Sequence, residues 1–177
     1  MQPRINTIIF DLGGVILNID YQRTQEAFKE LGFTDFDQLY TQFKQSELFV
    51  KLEKGQITPT DFLATLRDYS NQTVTDRQLI EAWNAMLLDL PPDHLSSIDQ
   101  LKGDFQLYLL SNTNAIHYEC FFNQVEALLN KRTLSDYFRM SYYSHLVGER
   151  KPDQRVFDLV SQANGLSPER TLFIDDS

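Results

Sequence analysis

The sequence predicts an α/β protein: a Rossmann-like core of three layers around a parallel sheet, with an α-helical cap inserted into it. Two observations support this prediction. Four short, mainly apolar runs are typical of strands that are buried in a parallel sheet. Roughly ninety residues with helical periodicity separate the first two runs, far more than a connection between a strand and a helix needs. The runs are Thr7–Phe10, Phe105–Leu110, Arg139–Tyr143 and Thr171–Ile174.

Polar side chains follow each of the four predicted strands. Because the carboxyl ends of parallel strands meet at one edge of a sheet, where open α/β folds place their ligand crevices, we expect these side chains to gather there. They are Asp11, Ser111-Asn112, Ser144-His145 and Asp175-Asp176.

The segment between the first two strands is predicted to be helical throughout. Thr58 and Thr75 are N-cap residue types, and glycines follow two of the helices. The predicted helices are Tyr21–Leu31, Phe36–Phe43, Glu47–Lys54, Pro59–Tyr69 and Asp76–Leu88. Their helically spaced apolar residues, expected to form a separate core, are Phe28, Phe43, Phe49, Leu52, Phe62, Leu66, Trp83 and Met86. The segment is therefore interpreted as a cap over residues 18–90, with residues 1–17 and 91–177 as the core.

The remaining helices belong to the predicted core. Pro91-Pro92 ends the cap, and the helices that follow are Leu95–Leu101, Ala115–Leu129 and Asp153–Asn164. Pro152 suits the first turn of the last helix, which would hold Lys151 at a helix N-terminus. A cation there costs stability unless an anion binds, so Lys151 is either a functional residue or a solvated one.

Composition excludes several function classes. A chain of 177 residues with net charge −9 and scattered basic residues is not expected to bind nucleic acid or an anionic membrane, although a small phosphorylated substrate remains compatible. No secretory signal or apolar run of ~18 residues is present. The single Cys120 cannot form an intrachain disulfide and is expected to pack as a small hydrophobic residue. The chain is expected to be soluble and cytoplasmic, and its oligomeric state is not indicated.

The polar strand ends carry chemistry that handles phosphate. Asp11 is either a catalytic carboxylate or ordinary turn chemistry. The Ser111 hydroxyl, at the start of a helix, can bind a phosphate oxygen or simply cap that helix. Adjacent carboxylates at Asp175 and Asp176 repel each other, which favours a cation between them. Hard oxygen ligands favour Mg²⁺.

These segments together resemble a known family. In order, Asp11-Leu12-Gly13-Gly14-Val15, Ser111-Asn112-Thr113-Asn114, Arg150-Lys151-Pro152 and Asp175-Asp176 resemble the four motifs of the haloacid dehalogenase (HAD) superfamily, and the helical insertion stands in place of its C1 cap. The resemblance is closest to bacterial sugar-phosphate phosphatases with an Asp-Leu-Gly opening, such as the α-D-glucose-1-phosphate phosphatases. It implies a Mg²⁺-dependent phosphatase that hydrolyses a small phosphorylated metabolite, expected to be a sugar phosphate.

The resemblance also implies the role of each residue. Asp11 would be the nucleophile that forms an aspartyl-phosphate, Ser111 and Asn112 would bind the transferring phosphoryl group, and Lys151 would neutralise its charge. The metal ligands would be Asp11, the Gly13 carbonyl, and Asp176 with Asp175 beside it.

Two departures from the family pattern matter. Most HAD phosphatases have a general acid and base where this chain has Gly13, so Asp20, His117 or a cap residue near Glu53 must supply the proton, or the substrate has a leaving group that needs little help, such as an anomeric hydroxyl. Family members also continue beyond the acidic pair, whereas this sequence stops at Ser177. Either the sequence is cut short, or the pair lies where chain ends fray and metal binding suffers.

Three alternatives compete with the phosphatase. A haloacid dehalogenase also uses an Asp nucleophile, but it needs no metal, so Asp175 and Asp176 favour the phosphatase. A phospho-receiver domain has its acidic pair early and its phosphorylated Asp later, the reverse of the order here. A non-catalytic phosphate-binding or interaction module remains as the third alternative.

Overall fold

A parallel sheet of four strands forms the centre of the computed structural model, which describes residues 4–33, 36, 40, 47–70, 72–129 and 133–176. The strands are β1 (Thr7–Phe10), β2 (Gln106–Ser111), β3 (Met140–Tyr143) and β4 (Thr171–Ile174), in the order β3-β2-β1-β4. Every pairing is parallel, and β1 and β2 lie at the centre. The carboxyl ends of all four strands therefore point to one edge, as the sequence predicted.

Helices cover both faces of this sheet. Those of the described residues are α1 (Tyr21–Glu30), α2 (Leu48–Glu53), α3 (Pro59–Asp68), α4 (Asp76–Asn84), α5 (Pro92–Leu101), α6 (Ala115–Leu128), α7 (Ser144–Val147) and α8 (Gln154–Asn164), with 3₁₀ turns at Leu134–Asp136 and Pro168–Arg170. Successive residues of a strand face opposite sides. Ile8 packs in one apolar cluster with residues of α5 and α6, whereas Ile9 packs in another with Val156 and Val160 of α8. The predicted three layers are thus observed.

Helices α3 and α4 begin where the sequence predicted. The Thr58 hydroxyl accepts a hydrogen bond from Asp61 N–H, and the Asp61 carboxylate accepts one from Thr58 N–H. Thr75 and Gln78 form the same reciprocal pair at the start of α4. Each capping box satisfies two backbone donors that the first helical turn leaves unpaired.

The helices between β1 and β2 share an apolar cluster of their own. It contains Phe28, Leu52, Phe62, Leu66 and Trp83, all predicted for this core, with Phe49 packed against it. Met86 lies instead at a cavity described below, and Phe43 and most of the predicted helix Phe36–Phe43 lie outside the described residues. Ile116 of α6 joins the cluster. The division of the chain at residues 18 and 90 stays a prediction.

The end of α4 and the start of α5 were predicted wrongly. The helix predicted over Asp76–Leu88 ends at Asn84, because the residues after it pair with the segment that leads into α1. Met86 O accepts a hydrogen bond from Asp20 N–H at 2.9 Å, and Leu88 N–H donates to Asn18 O at 3.0 Å. Helix α5 begins at Pro92 and not at Leu95, since proline suits a first helical turn.

The start of α8 also differs from the prediction. Pro152 precedes the helix, which begins at Gln154, so Lys151 is not held at a helix N-terminus. Its backbone lies in a turn in which Asp153 N–H donates to Arg150 O at 3.0 Å.

Cys120 is half-buried on α6, less packed than predicted. Burial raises the pKa of its thiol, which opposes the thiolate form that a nucleophile needs. In the described part of the chain, no helix has both the length and the apolar character needed to cross a bilayer.

The turn after α2 touches the sheet-containing part of the molecule directly. Gly55 has φ +64°, and a Cβ at this position would lie 3.3 Å from the His145 carbonyl carbon and closer still to its oxygen. Glycine is therefore needed here both for its backbone conformation and for the close approach of two backbones.

We predict that Gly55→Ala costs more stability than Gly165→Ala. Gly165 has a similar φ of +62° with no atom near its missing Cβ, so its replacement adds backbone strain alone, about 1 kcal/mol. Gly55→Ala adds a steric clash on top, worth about another 1–3 kcal/mol. Urea unfolding of the two variants measures the difference. Equal losses would contradict the close contact between Gly55 and His145.

Candidate functional site

One cavity of about 440 Å³ lies at the carboxyl edge of the sheet. The structure brings together here every site residue that the sequence predicted: Asp11, Gly13, Ser111, Asn112, Lys151, Asp175 and Asp176. Asp11 follows β1 directly, and its N–H donates to Ile174 O, the last residue of β4, at 2.8 Å. The side chains meet because β1, β2 and β4 end at the same edge of the sheet and the loop before α8 passes along that edge.

Lys151 occupies the centre of the site. It is 7% exposed, and its Nζ lies 2.7 Å from Asp11 Oδ2 and 2.5 Å from Asp175 Oδ2. The ammonium group is also 5.2 Å from the centre of the Phe173 ring. A buried ammonium needs such partners, because its desolvation is otherwise costly.

Both oxygens of the Asp11 carboxylate have partners. Oδ1 accepts a hydrogen bond from Leu12 N–H at 2.7 Å, and Oδ2 faces Lys151. Burial raises the pKa of Asp11, an effect that exceeds the opposing attraction of Lys151. The carboxylate is thus fixed in orientation, and a second cation nearby would stabilise its charged form.

Asp11, Asp175 and Asp176 form the acidic cluster of the site. One oxygen from each lies within 4.8 Å of the others. These three carboxylate groups outnumber the single ammonium of Lys151, which leaves an excess of negative charge. Carboxylate oxygens are the donors that Mg²⁺ prefers. The donor set and its uncompensated charge therefore fit a divalent cation.

Gly14 allows Asp176 to approach this cluster. Its φ is +75°, and a Cβ there would lie 2.6 Å from Asp176 Cγ and nearer still to a carboxylate oxygen. No side chain can occupy this space.

Side chains after β2 and at the start of α7 connect the loops around the cavity by hydrogen bonds. The Asn112 side chain makes two hydrogen bonds with the backbone of Lys151: its amide nitrogen donates to Lys151 O, and its carbonyl oxygen accepts from Lys151 N–H. The fully buried Ser144 hydroxyl donates to Thr113 O at 2.7 Å and accepts from Thr113 N–H at 2.9 Å. Asn114 caps α6 by accepting from Ile116 and His117 N–H groups. Ser111 also lines the cavity, and no other described residue hydrogen-bonds its hydroxyl.

The three candidates for a missing proton donor differ in position. Asp20 caps α1 by accepting from Gln22 N–H and does not line the cavity. His117 does line it, but burial lowers its pKa to about 3, so the imidazole is neutral and has no labile acid proton at physiological pH. Glu53 lines the cavity too, and burial raises its pKa in spite of Arg150 and Lys151 nearby. Glu53 is the best placed of the three.

Ion pairs join α2 to the loop around Lys151, which sequence reasoning missed. Glu53 Oε2 lies 2.7 Å from Arg150 Nε. Lys54 Nζ lies 3.0 Å from Glu149 and 3.1 Å from Asp153. The only signal in the sequence was charge of opposite sign on two segments far apart in the chain, which does not specify a pairing.

Comparison with known proteins places these features in a family. A sequence model described as haloacid dehalogenase-like hydrolase matches residues 5–177. The D-ribitol-5-phosphate phosphatase of Bacteroides thetaiotaomicron is 32% identical over 174 residues, covering 97% of this chain and 83% of that protein.

Solved structures agree with this match. A HAD family enzyme of Bacteroides thetaiotaomicron, crystallised with magnesium and inorganic phosphate, has a TM-score of 0.88 and 35% identity over 98% of this chain and 85% of that one. A HAD-like family hydrolase of Porphyromonas gingivalis has a TM-score of 0.84 and 31% identity over 99% and 83%. The predicted fold class is confirmed.

We predict that Gly14→Ala weakens Mg²⁺ binding because its Cβ displaces the Asp176 carboxylate. Gly148→Ala is the matched control, since Gly148 has the same φ of +75° with no atom near its missing Cβ. Both variants carry similar backbone strain, and only Gly14→Ala moves a carboxylate of the acidic cluster. Isothermal titration calorimetry with Mg²⁺ measures the effect. Unchanged affinity in a folded Gly14→Ala variant would exclude Asp176 as a ligand.

Proposed function

We propose, since the chain belongs to the haloacid dehalogenase-like hydrolases, that it is a Mg²⁺-dependent phosphomonoester hydrolase that forms an aspartyl-phosphate on Asp11. The observation that carries the proposal is the meeting of Asp11, Lys151 and the acidic pair in one cavity. Phosphoryl transfer needs an oriented nucleophile and charge neutralisation around the transferring group. This cavity offers both.

Asp11 is proposed as the nucleophile. One carboxylate oxygen forms a bond to phosphorus while the bond from phosphorus to the ester oxygen breaks, and the leaving alcohol takes up a proton. Water then attacks the phosphorus of the aspartyl-phosphate, and the bond from phosphorus to the Asp11 oxygen breaks, which releases phosphate and regenerates the Asp11 carboxylate. Leu12 N–H and Lys151 already fix the carboxylate, so little reorganisation is needed before attack.

Ser111 and Lys151 are proposed to hold the phosphoryl group. Lys151 places a positive charge beside Asp11, where the phosphoryl oxygens must come during attack. The Ser111 hydroxyl lies at the end of β2 in the same cavity and can donate to one of those oxygens. Charge neutralisation of this kind is commonly the largest contribution to catalysis.

Mg²⁺ is the cofactor that the acidic cluster and the magnesium-bound relative support. Asp11, Asp175, Asp176 and the Gly13 carbonyl would hold it. When bound, it supplies charge neutralisation on the phosphoryl oxygens. The like charges of Asp11, Asp175 and Asp176, which repel one another, are then compensated.

The substrate is proposed to be a small sugar or polyol phosphate. The cavity, about 440 Å³, lies within the range of ligand sites for small molecules. Tyr21, Glu53 and Met86 from the segment 18–90 line it together with the core residues. These helices therefore act as the cap that selects the leaving group. The relative named for D-ribitol 5-phosphate supports this substrate class.

Two alternatives have less support. A haloacid dehalogenase has no use for the acidic cluster of three carboxylates. A non-catalytic module is not favoured either, because the relative that is 32% identical over 97% of this chain is an enzyme.

We predict that Asp11→Asn abolishes phosphate release from p-nitrophenyl phosphate while the protein stays folded. The amide keeps the shape of the side chain but is not a nucleophile. A colorimetric assay with Mg²⁺, together with circular dichroism, measures both properties. Activity that survives in Asp11→Asn would contradict the covalent mechanism, and full wild-type activity in excess chelator would contradict the requirement for Mg²⁺.

Glu53 is proposed as the acid that protonates the leaving group, in place of a side chain at Gly13. Its carboxyl group lines the cavity, and burial raises its pKa. A carboxyl with a raised pKa keeps its proton to higher pH than an ordinary glutamate. Its acid form is lost as the pH rises through that value, which sets the upper limit of the active range.

We predict that Glu53→Gln slows hydrolysis of D-ribitol 5-phosphate, an ordinary alcohol ester, by roughly 10²–10⁴-fold. Hydrolysis of p-nitrophenyl phosphate and of glucose 1-phosphate, whose leaving groups are better, should change far less. The decline of wild-type rate at high pH should disappear in the variant.

Steady-state rates across pH measure both effects. Glu149→Gln is the control, because Glu149 also pairs with a cation of this region, Lys54, but does not line the cavity. Equal slowing of all three substrates by Glu53→Gln would assign Glu53 to structure and leave the proton donor to another group.

A further inference from the structure

Asn112 makes two hydrogen bonds to a single residue, Lys151. Asn112 Nδ2 donates to Lys151 O at 2.9 Å, and Lys151 N–H donates to Asn112 Oδ1 at 2.8 Å. The carboxamide therefore pairs with both backbone polar groups of Lys151, as one strand residue pairs with another. Asn112 comes directly after β2, whereas Lys151 belongs to the loop before α8.

This pairing leaves the Asn112 side chain poorly suited to bind a phosphoryl group. Its carbonyl oxygen is an acceptor that phosphate oxygens cannot use, and one of the two N–H groups of its amide already donates to Lys151 O, so at most one donor is left for a phosphate oxygen. Turning the carboxamide toward the cavity would break both bonds and leave the backbone N–H and C=O groups of a buried residue unpaired, which is unfavourable.

We propose that Asn112 is a positioning residue that fixes Lys151 relative to Asp11, an inference that rests on the proposed phosphatase function and refines the expected role of Asn112. Residues 148–153 lie outside the sheet, so strand pairing does not hold Lys151 in place. The Asn112 carboxamide supplies that restraint from the end of β2.

The restraint matters because Lys151 acts at the far end of a long flexible side chain. Its Nζ must reach Asp11 and Asp175, which follow two neighbouring strands. A misplacement of about 1 Å at a reacting group can cost about 10²-fold in rate. Ser144 fixes the backbone of Thr113, next to Asn112, through two further hydrogen bonds. The anchor itself is thus held firmly.

The test is a double-mutant cycle of Asn112→Ala and Lys151→Met on kcat/KM for p-nitrophenyl phosphate. Asn112→Ala alone should lower kcat/KM about 10–100-fold, as is typical when a supporting residue is lost. In the Lys151→Met background the same substitution should have little further effect, because the ammonium that it positions is gone. A direct contact from Asn112 to the phosphoryl group would make the two losses multiply, which would overturn the proposal.

Thr24→Val is the matched control. The Thr24 hydroxyl also bonds two backbone groups, donating to Trp83 O and accepting from Met86 N–H, both at 3.1 Å. Its loss should lower the stability in urea comparably, with the same effect on kcat/KM in both Lys151 backgrounds. Coupling of Thr24→Val to Lys151 as strong as that of Asn112→Ala would also overturn the proposal, since general loosening would then explain both.

Titration of the same variants with inorganic phosphate in the presence of Mg²⁺ repeats the double-mutant cycle on the affinity for phosphate, which requires no turnover. A wild-type protein that releases no phosphate would refute the proposed function, whereas the binding cycle would still measure the coupling of Asn112 to Lys151. Full activity of the wild type with additive losses would refute the role of Asn112 alone.

Discussion

The ion pairs of the buried Lys151 ammonium group are the interactions on which the rest of the site depends. The ammonium lies between the carboxylates of Asp11 and Asp175, which follow β1 and β4, and Asn112 ties the backbone of Lys151 to the end of β2. Three strand ends are thereby joined through one residue, Lys151. Removal of one partner from a buried pair of this kind costs about 3–5 kcal/mol, so the carboxylates and the lysine stabilise one another as well as serving the proposed chemistry.

The residues on both sides of Lys151 form ion pairs with the end of α2. Arg150 pairs with Glu53, while Glu149 and Asp153 share Lys54. The loop that presents the ammonium to the cavity thus also holds the end of α2, and the Gly55 turn packs on the His145 carbonyl beside it. The helical segment and the loop that carries Lys151 are therefore joined at several neighbouring positions.

Sequence alone predicted the features that local physical chemistry determines. The strands were found because short, mainly apolar runs are typical of strands in a parallel sheet. Helices α3 and α4 were found because threonine caps leave a short-range signature. The end of α4 at Asn84 was missed, since pairing of Met86 with Asp20 is a tertiary contact. The lowered pKa of His117 was missed for the same reason, because it depends on burial that only the folded chain creates.

The predicted site residues were brought together as expected, whereas the partner of each could not be read from the sequence. Asn112 illustrates the difference, because an asparagine can bind either a phosphate or a peptide group. Only the structure shows that its amide nitrogen and its carbonyl oxygen both bond the backbone of Lys151.

The most direct test of the account is rapid acid quench of the enzyme during turnover, followed by mass spectrometry of the peptide that contains Asp11. The account predicts one phosphoryl group on Asp11. A phosphoryl group on another residue, or oxygen-18 from labelled water in the Asp11 carboxylate, would contradict it.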